Sequence, residues 1–428
     1  MADPKRSGIS LEALIEDYAT EPVPDGVFFT GWQISMVNSA LAISLPGLLT
    51  GAWLGLEMGL LNSTIAFVLG GLVLAVIATL AGFIGVRNRL SSYMIINKTF
   101  GVLGARVVNL ALALSMFLFF AVNAELFNDA AQGVFKELVG WELQGPVFLI
   151  GGCALMTAST IFGFKSLQFL STLLLPFLII AFGVLVYDVV AHTSLDALLA
   201  AAPTGNTSIG AGVSAVVGSF IVGAIVMPDS CRFGRNRRDA VVAAFKPFLL
   251  VSTLVYIGSA VAALKTGEQD LVQIMYASGL GFSAFVLVIV SSLIGNAVNL
   301  YGCALSMAAL FPRVAEWKLS IVCGLLGLAL SLVGVLSHFM DMIFSLGVVF
   351  SPIVAFFVID HLLPERANGL LNVPAMVAWA LGIGVSVLTS QDVLHLTWVP
   401  ACDSILVAAV VYLAIRQCQA RLALRQLA

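Results

Sequence analysis

Stretches of about 20 apolar residues recur along the whole chain, and no other feature restricts its fold as strongly. A helix of that length crosses the hydrocarbon core of a membrane and satisfies its own backbone polar groups there. Only 10% of the residues are charged, against about 25% in soluble domains. The pattern predicts an all-α integral membrane protein with about twelve spans. The spans are expected near residues 29–52, 61–86, 103–128, 146–164, 167–190, 211–228, 239–264, 281–307, 317–336, 339–359, 372–390 and 397–416.

The basic residues are distributed unevenly between the two sides that this order of spans creates. With the N-terminus in the cytoplasm, 18 of the 20 lysines and arginines fall on the cytoplasmic side, and only Lys136 and Lys265 fall outside. An excess of basic residues marks cytoplasmic loops. We therefore expect a multi-pass protein of the inner (plasma) membrane, with cytoplasmic tails over residues 1–28 and 417–428 and a membrane domain over 29–416.

The remaining composition argues against several classes of function. The six cysteines form no CxxC pair, and the four histidines are far apart, so we expect no metal site, no cofactor and no catalytic group. The basic residues form no face with aromatic residues, which excludes a nucleic-acid partner. Rings of pore-lining charge, which a channel needs, are absent from the spans.

Two of the predicted spans are interrupted by proline and glycine. The first contains Pro46 and Gly47, and the sixth contains Gly218 and ends at Pro228, which is followed by Asp229. Five spans separate the two positions, so the second copy starts in the opposite topology, as in transporters with inverted repeats. Ordinary packing of small residues would explain either interruption alone. The two repeats would cover residues 29–190 and 211–359, with extra helices over 372–416.

Three stretches of the sequence are more specific than the hydropathy. They are GSF with Asp229 and RFGRN within 218–236, GNAVNLYGCALSMA at 295–308, and GFIGVRNRLSSYMIINKTFG at 82–101. Over nearly its whole length the chain resembles the nucleobase–cation symporter family of the first type, the cytosine permease-like or purine–cytosine permease family. The resemblance implies a LeuT-like five-plus-five inverted repeat followed by two C-terminal helices. It also implies a secondary active transporter that imports cytosine, a purine, allantoin, hydantoin or another heterocycle by alternating access.

The implied substrate site lies at mid-membrane and combines aromatic faces with amide edges, which suit a flat heterocycle. Relatives have a tryptophan where this chain has Phe119, and the smaller ring widens the pocket and leaves the choice of heterocycle open. Core packing is the alternative role for Phe119, and interhelical hydrogen bonding is the alternative for the asparagines. The implied substrate-binding residues are Phe119, Asn123, Gly218, Ser219, Phe220, Asn296 and Asn299.

We expect Na⁺ or H⁺ as the coupling ion, and facilitated passage without an ion is the alternative. The resemblance implies a sodium site made of carbonyls of the first span and two hydroxyls of the eighth, but this chain has Ile294 and Gly295 at the hydroxyl positions. Glu125 is the candidate for a proton relay. Asp229 is expected to cap the next segment or to pair with Arg232 or Arg235. The cation candidates are Asn38, Ala40, Leu41, Ile43, Ser291 and Ser292.

Two other functions remain open at this point. An amino-acid or osmolyte carrier of the same architecture would direct helix N-termini at a carboxylate. A membrane-embedded enzyme would need a cluster of acids, bases or metal ligands at membrane depth, which the sequence does not offer. The expected partners are therefore a small heterocyclic substrate and the lipid bilayer.

Overall fold

The computed structural model describes residues 18, 21–141, 143, 145–268, 281–362 and 369–427, and these are almost entirely helical. In those residues the chain forms sixteen α-helices: α1 (Gly31–Ala42), α2 (Leu45–Asn88), α3 (Ser92–Val139), α4 (Val147–Thr160), α5 (Gly163–Ala191), α6 (Leu195–Ala200), α7 (Ile209–Ile225), α8 (Met227–Cys231), α9 (Arg237–Phe245), α10 (Ser252–Thr266), α11 (Gly281–Leu310), α12 (Glu316–Ser331), α13 (Phe339–Phe350), α14 (Ile353–Leu362), α15 (Val373–Ser390) and α16 (Pro400–Leu427). A π-helical turn, Lys246–Val251, joins α9 to α10, and a 3₁₀ turn, Val335–His338, precedes α13.

Two helices are too long to cross a membrane once, and each is interrupted at a glycine. α2 has 44 residues and α3 has 48, and Gly59 and Gly101 within them have φ of +73°. A straight helix of 44 residues would be roughly 66 Å long, whereas the hydrocarbon core is about 30 Å thick. Glycine adopts a positive φ without steric cost. Each glycine therefore divides its helix into two arms.

Contacts on either side of these glycines show that the two arms lie side by side. The ring of Phe67 lies 5.2 Å from the ring of Tyr256, and a Cβ on Gly51 would lie 2.7 Å from Tyr256 Cα. Residues 51 and 67 would be roughly 24 Å apart in a straight helix. In α3, Tyr93 and Asn109 are separated by the same number of residues, yet they are in contact. Asn109 Nδ2 donates to the main-chain oxygen of Tyr93 at 3.5 Å. The chain folds back at both glycines.

The described residues confirm a multi-pass helical membrane protein. Eight of their helical segments are long and apolar enough to cross a membrane, and α4 and α7 are shorter apolar helices. The number of twelve spans and the limits of the repeats remain predictions. Most of the predicted N-terminal tail, residues 1–17 and 19–20, lies outside the described residues.

Both predicted interruptions are present. α1 ends at Ala42 and α2 begins at Leu45, with an extended backbone at Ser44 between them. α7 ends at Ile225 and α8 begins at Met227. The second break therefore lies at Val226, two residues before Pro228, because a proline fits in the first turn of a helix, where no hydrogen bond from its nitrogen is needed.

Candidate functional site

A cavity lies where the two interrupted helices face α3, α5 and α11. It contains about 780 Å³ of space free of protein atoms, its opening included. Residues from both breaks line it, and the rest of its wall comes from the middle of α3, the start of α5 and the second half of α11. The cavity therefore occupies the place that paired interrupted helices predict for a binding site.

Two phenylalanines that the sequence predicted as aromatic walls both line this cavity. Phe220 packs against two aromatic rings, since its ring centroid lies 6.4 Å from those of Phe248 and Tyr256. A Cβ on Gly47 would lie 3.6 Å from the Phe220 ring. Phe119 lines the cavity from α3 and is 7% exposed. These rings supply flat apolar surfaces on which a heterocycle can stack.

The side chain of Asn123 offers a hydrogen-bond donor and an acceptor to a bound molecule. It lines the cavity and is 1% exposed, yet neither its amide nitrogen nor its amide oxygen has a hydrogen-bond partner in the described part of the chain. Nearly all buried polar groups in folded proteins are hydrogen-bonded. A bound molecule that offers both a donor and an acceptor would complete this amide. Asn299 lines the same cavity from α11.

Two other predicted substrate contacts lie outside the cavity. Asn296 is fully buried, and its Nδ2 donates to the main-chain oxygen of Phe120 and to Met156 Sδ, both at 3.1 Å. This amide joins α11 to α3 and α4. Gly218 lies in the regular helix α7, and a Cβ there would collide with the main-chain oxygen of Ile343. Interhelical bonding accounts for the Asn296 amide nitrogen, whereas its buried amide oxygen has no partner among the described residues. Close packing accounts for Gly218.

Ser219 lines the cavity and is bonded on its far side to a residue that the sequence did not reveal. Its Oγ donates to the main-chain oxygen of Val216 at 2.8 Å and lies 2.8 Å from the hydroxyl of Tyr256 on α10. Tyr256 is fully buried behind the wall. A tyrosine within an apolar run carries no signal in a single sequence that separates it from core packing.

The other end of the cavity is closed by a cluster that we call the polar floor: Asp229, Arg232 and Tyr301. Arg232 is fully buried, and it donates from Nη2 to the Tyr301 hydroxyl at 2.9 Å and from Nε to the main-chain oxygen of Asp229 at 3.1 Å. Its Nη1 donates to the main-chain oxygen of Tyr18 at 2.7 Å. The Asp229 carboxylate accepts from the Ser92 N–H at 2.7 Å. Asp229 and Tyr301 line the cavity.

These contacts correct one of the two expected roles of Asp229, the capping of the next segment. Its carboxylate bonds the first turn of α3 and not the next segment, where Asn236 and Asp239 form the cap of α9. A carboxylate at a helix N-terminus satisfies a free N–H and opposes the positive end of the helix dipole. Asp229, at 4% exposure, and Arg232 are therefore buried elements of the cavity end and not surface anchors.

Aromatic rings surround the polar floor. Phe164 and Phe233 are stacked with centroids 5.0 Å apart, and Phe29 meets them edge-on at 5.6 and 5.7 Å. The Tyr301 ring lies 6.1 Å from that of Phe164. Phe164 and Tyr301 also line the cavity. The segment that leads into α1 thus contributes directly to closing this end.

The cation candidates are only partly brought together. Asn38 and Leu41 line the cavity, whereas Ala40 and Ile43 are buried at the end of α1, where a helix presents free carbonyl oxygens. On α11, Ser291 Oγ donates to the main-chain oxygen of Val288 at 3.1 Å. Ser292 Oγ is buried and has no partner among the described residues.

Glu125 does not line the cavity. Its two carboxylate oxygens accept the N–H groups of Val335 at 2.7 Å and Leu336 at 3.2 Å. These groups start the 3₁₀ turn before α13, so the carboxylate serves as its cap.

A family model described as "Permease for cytosine/purines, uracil, thiamine, allantoin" matches residues 35–409. The cytosine permease of Escherichia coli strain K12 is 26% identical over 376 residues, which cover 86% of this chain and 88% of that protein. Among solved structures, Mhp1, a nucleobase-cation-symport-1 family transporter in a closed conformation with bromovinylhydantoin bound, gives a TM-score of 0.80 at 16% identity, over 95% of this chain and 96% of its own. A Na⁺-coupled sialic acid symporter in a substrate-bound outward-open state gives 0.65 at 11% identity, over 93% and 92%.

Proposed function

Because the chain belongs to the family of permeases for cytosine/purines, uracil, thiamine and allantoin, we propose that it imports a nucleobase or a closely related heterocycle by alternating access. Membership in this family makes the chain a transporter and not an enzyme. The observation that supports the substrate proposal is the Asn123 amide, which is buried at the cavity and has no partner in the part of the chain that the structure describes. The similar proteins support the same chemistry, since one is a cytosine permease and another binds a hydantoin.

In this proposal the ring of the substrate stacks between Phe119 and Phe220, and its polar edge meets Asn123, Asn299 and Ser219. A carboxamide offers a donor and an acceptor side by side, as do the edges of nucleobases. Each such hydrogen bond contributes about 0.5–1.5 kcal/mol net, and more where the amide would otherwise stay unpaired.

The charges of the polar floor favour a neutral substrate over an amino acid. Arg232 already donates to Tyr301, to Tyr18 and to the main chain of Asp229. Asp229 itself lies at the same end with the opposite charge. Among the described residues, the cavity lining therefore offers no unmatched cation for a substrate carboxylate.

We propose that the membrane domain has twelve spans in a five-plus-five inverted repeat followed by two C-terminal helices. The folding back of α2 at Gly59 supports this count, because it divides that long helix into two segments. Transport would proceed by rocking of a bundle of α1, α2 and α7–α10 against the other helices. The distribution of lysine and arginine supports an inner-membrane location with both termini in the cytoplasm.

We also propose that a monovalent cation, Na⁺ or H⁺, is carried with the substrate. The end of α1 supports a cation there, because helix C-termini carry a partial negative charge and free carbonyl oxygens. On α11, the buried Ser292 hydroxyl, which has no partner among the described residues, is the candidate side chain for such a site.

A ligand screen on the purified protein tests the substrate class. Thermal unfolding is followed with cytosine, uracil, adenine, hypoxanthine, allantoin and hydantoin, each in sodium chloride and in choline chloride at two pH values. We expect at least one heterocycle to raise the melting temperature, and Asn123→Ala to remove that shift. Asn128→Ala, on the same helix but outside the cavity, is the matched control. Stabilisation by amino acids and by none of the heterocycles would contradict the proposal.

A further inference from the structure

Tyr256 sits behind the cavity wall in a position that fixes the hydrogen bonding of Ser219. It is fully buried, and Ser219 Oγ is 2.8 Å from its hydroxyl. The Tyr256 ring is itself held by the Phe67 ring at 5.2 Å. It is also held by the close approach of Gly51, where a Cβ would lie 2.7 Å from Tyr256 Cα. The tyrosine hydroxyl therefore has little freedom to move.

The positions of the two hydroxyl protons follow from counting donors and acceptors. Ser219 Oγ also lies 2.8 Å from the main-chain oxygen of Val216, which can only accept. If Ser219 donates to Val216, Tyr256 donates to Ser219 and both protons are used. If Ser219 donates to Tyr256 instead, the buried tyrosine proton has no acceptor among the described residues, which is costly. The first arrangement is therefore the stable one.

In that arrangement Ser219 presents only a lone pair to the cavity. Its proton points along α7 to Val216, and one of its acceptor positions is filled by Tyr256. A substrate group opposite Ser219 then meets an acceptor, which attracts an N–H and repels a carbonyl oxygen.

We propose that Tyr256 is a positioning residue that sets substrate specificity, by holding Ser219 as an acceptor that selects an exocyclic amino group over an oxo group at the same ring position. The inference rests on the proposed function, since it assumes a heterocycle in this cavity. It names aminopyrimidines or aminopurines as the preferred substrates of the transporter.

The test compares dissociation constants for two matched pairs, cytosine with uracil and adenine with hypoxanthine, measured by calorimetry on the full-length protein and on Tyr256→Phe. In the native protein we expect the amino member of at least one pair to bind more tightly, by roughly tenfold. In Tyr256→Phe, Ser219 is free to turn its proton toward the cavity. The preference should then fall by roughly fivefold to tenfold, mainly through tighter binding of the oxo member.

Two further variants separate specificity from a purely structural effect. A structural defect would weaken both members of a pair equally and leave their ratio unchanged. In Ser219→Ala the preference should already be lost, and adding Tyr256→Phe should not change the ratio again. Tyr412→Phe removes a buried hydroxyl that bonds Asp360 and Asn372 instead, and it should leave the ratio as in the native protein.

The outcomes distinguish this inference from the proposed function. If the native protein binds none of the four bases or other heterocycles, the proposed function fails. If it binds a base but prefers the oxo member, or if Tyr256→Phe leaves the ratio unchanged, the role of Tyr256 is overturned while the transporter function stands.

Discussion

Buried polar groups at the two ends of the cavity differ in their hydrogen bonding. At the end that we call the amide end, formed by Phe119, Asn123, Ser219 and Phe220, the Asn123 amide is buried without a partner in the described structure. At the polar floor, Arg232 is buried with hydrogen bonds to Tyr301, Tyr18 and the main chain of Asp229. An unpaired buried amide costs about 1–3 kcal/mol, which a ligand can recover. The comparison supports the proposal that the amide end receives a molecule, whereas the bonds of the polar floor join helices to one another.

The free-energy cost of leaving a buried polar group unpaired also differs between the two ends. Removing a charged side chain from water costs several kcal/mol per ion, so a buried arginine is stable only with its partners in place. An unpaired amide costs less and can persist until a substrate arrives. A variant at the floor should therefore act on folding, and a variant at the amide end should act on binding.

The largest expected effect comes from removing the cation of the floor. Arg232→Met keeps much of the side-chain volume but leaves Asp229 buried without it, and such changes cost about 3–5 kcal/mol of folding free energy. We expect a large fall in melting temperature and in the yield of folded protein. Arg235→Met, at an exposed position, is the control. Equal melting temperatures for the two variants would show that the floor does not hold the fold.

A pair of asparagine variants compares binding with stability directly. Asn123→Ala should weaken ligand binding by about 1–3 kcal/mol and leave the melting temperature of the free protein unchanged or higher, because it removes an unpaired amide. Asn296→Ala should lower the melting temperature, because it breaks the bond from α11 to Phe120 and Met156. Binding by calorimetry and unfolding by scanning fluorimetry measure the two effects. If the two variants exchanged effects, Asn296 and not Asn123 would belong to the binding site.

The sequence predicted the architecture well because hydropathy, charge and helix breakers act locally. Apolar length sets the spans, and proline beside glycine marks the interrupted helices that form the cavity. Phe119, Asn123, Ser219 and Phe220 were all predicted, and the structure places them on its lining. The similarity to one transporter family, inferred from three motifs, is confirmed by the match over residues 35–409.

The direction in which each polar side chain points could not be predicted in the same way. Asn296 and Asn299 are three residues apart on one helix, and a modest rotation decides which of them meets the cavity. Arg232 stands among three other arginines in the sequence, which suggested a solvated surface, yet it is fully buried. The arms of α2 meet across Tyr256, and only the tertiary contact reveals a tyrosine behind the wall.

Glu125 gives the smallest expected effect and extends the comparison to a half-buried polar group. Both of its carboxylate oxygens already accept N–H groups, from Val335 and Leu336, so it resembles the floor and not the amide end. A glutamine retains one acceptor oxygen and turns an NH₂ toward the other N–H, so Glu125→Gln should cost about 1 kcal/mol of stability.

The same variant separates a cap from a proton relay. If the carboxylate only caps the 3₁₀ turn, Glu125→Gln should leave the pH dependence of uptake into proteoliposomes unchanged while slightly lowering the melting temperature. A relay must bind and release a proton in each cycle, so an amide at this position would abolish proton-driven uptake. Loss of the pH dependence with an unaltered melting temperature would place Glu125 among the transport residues and would separate it from the polar floor.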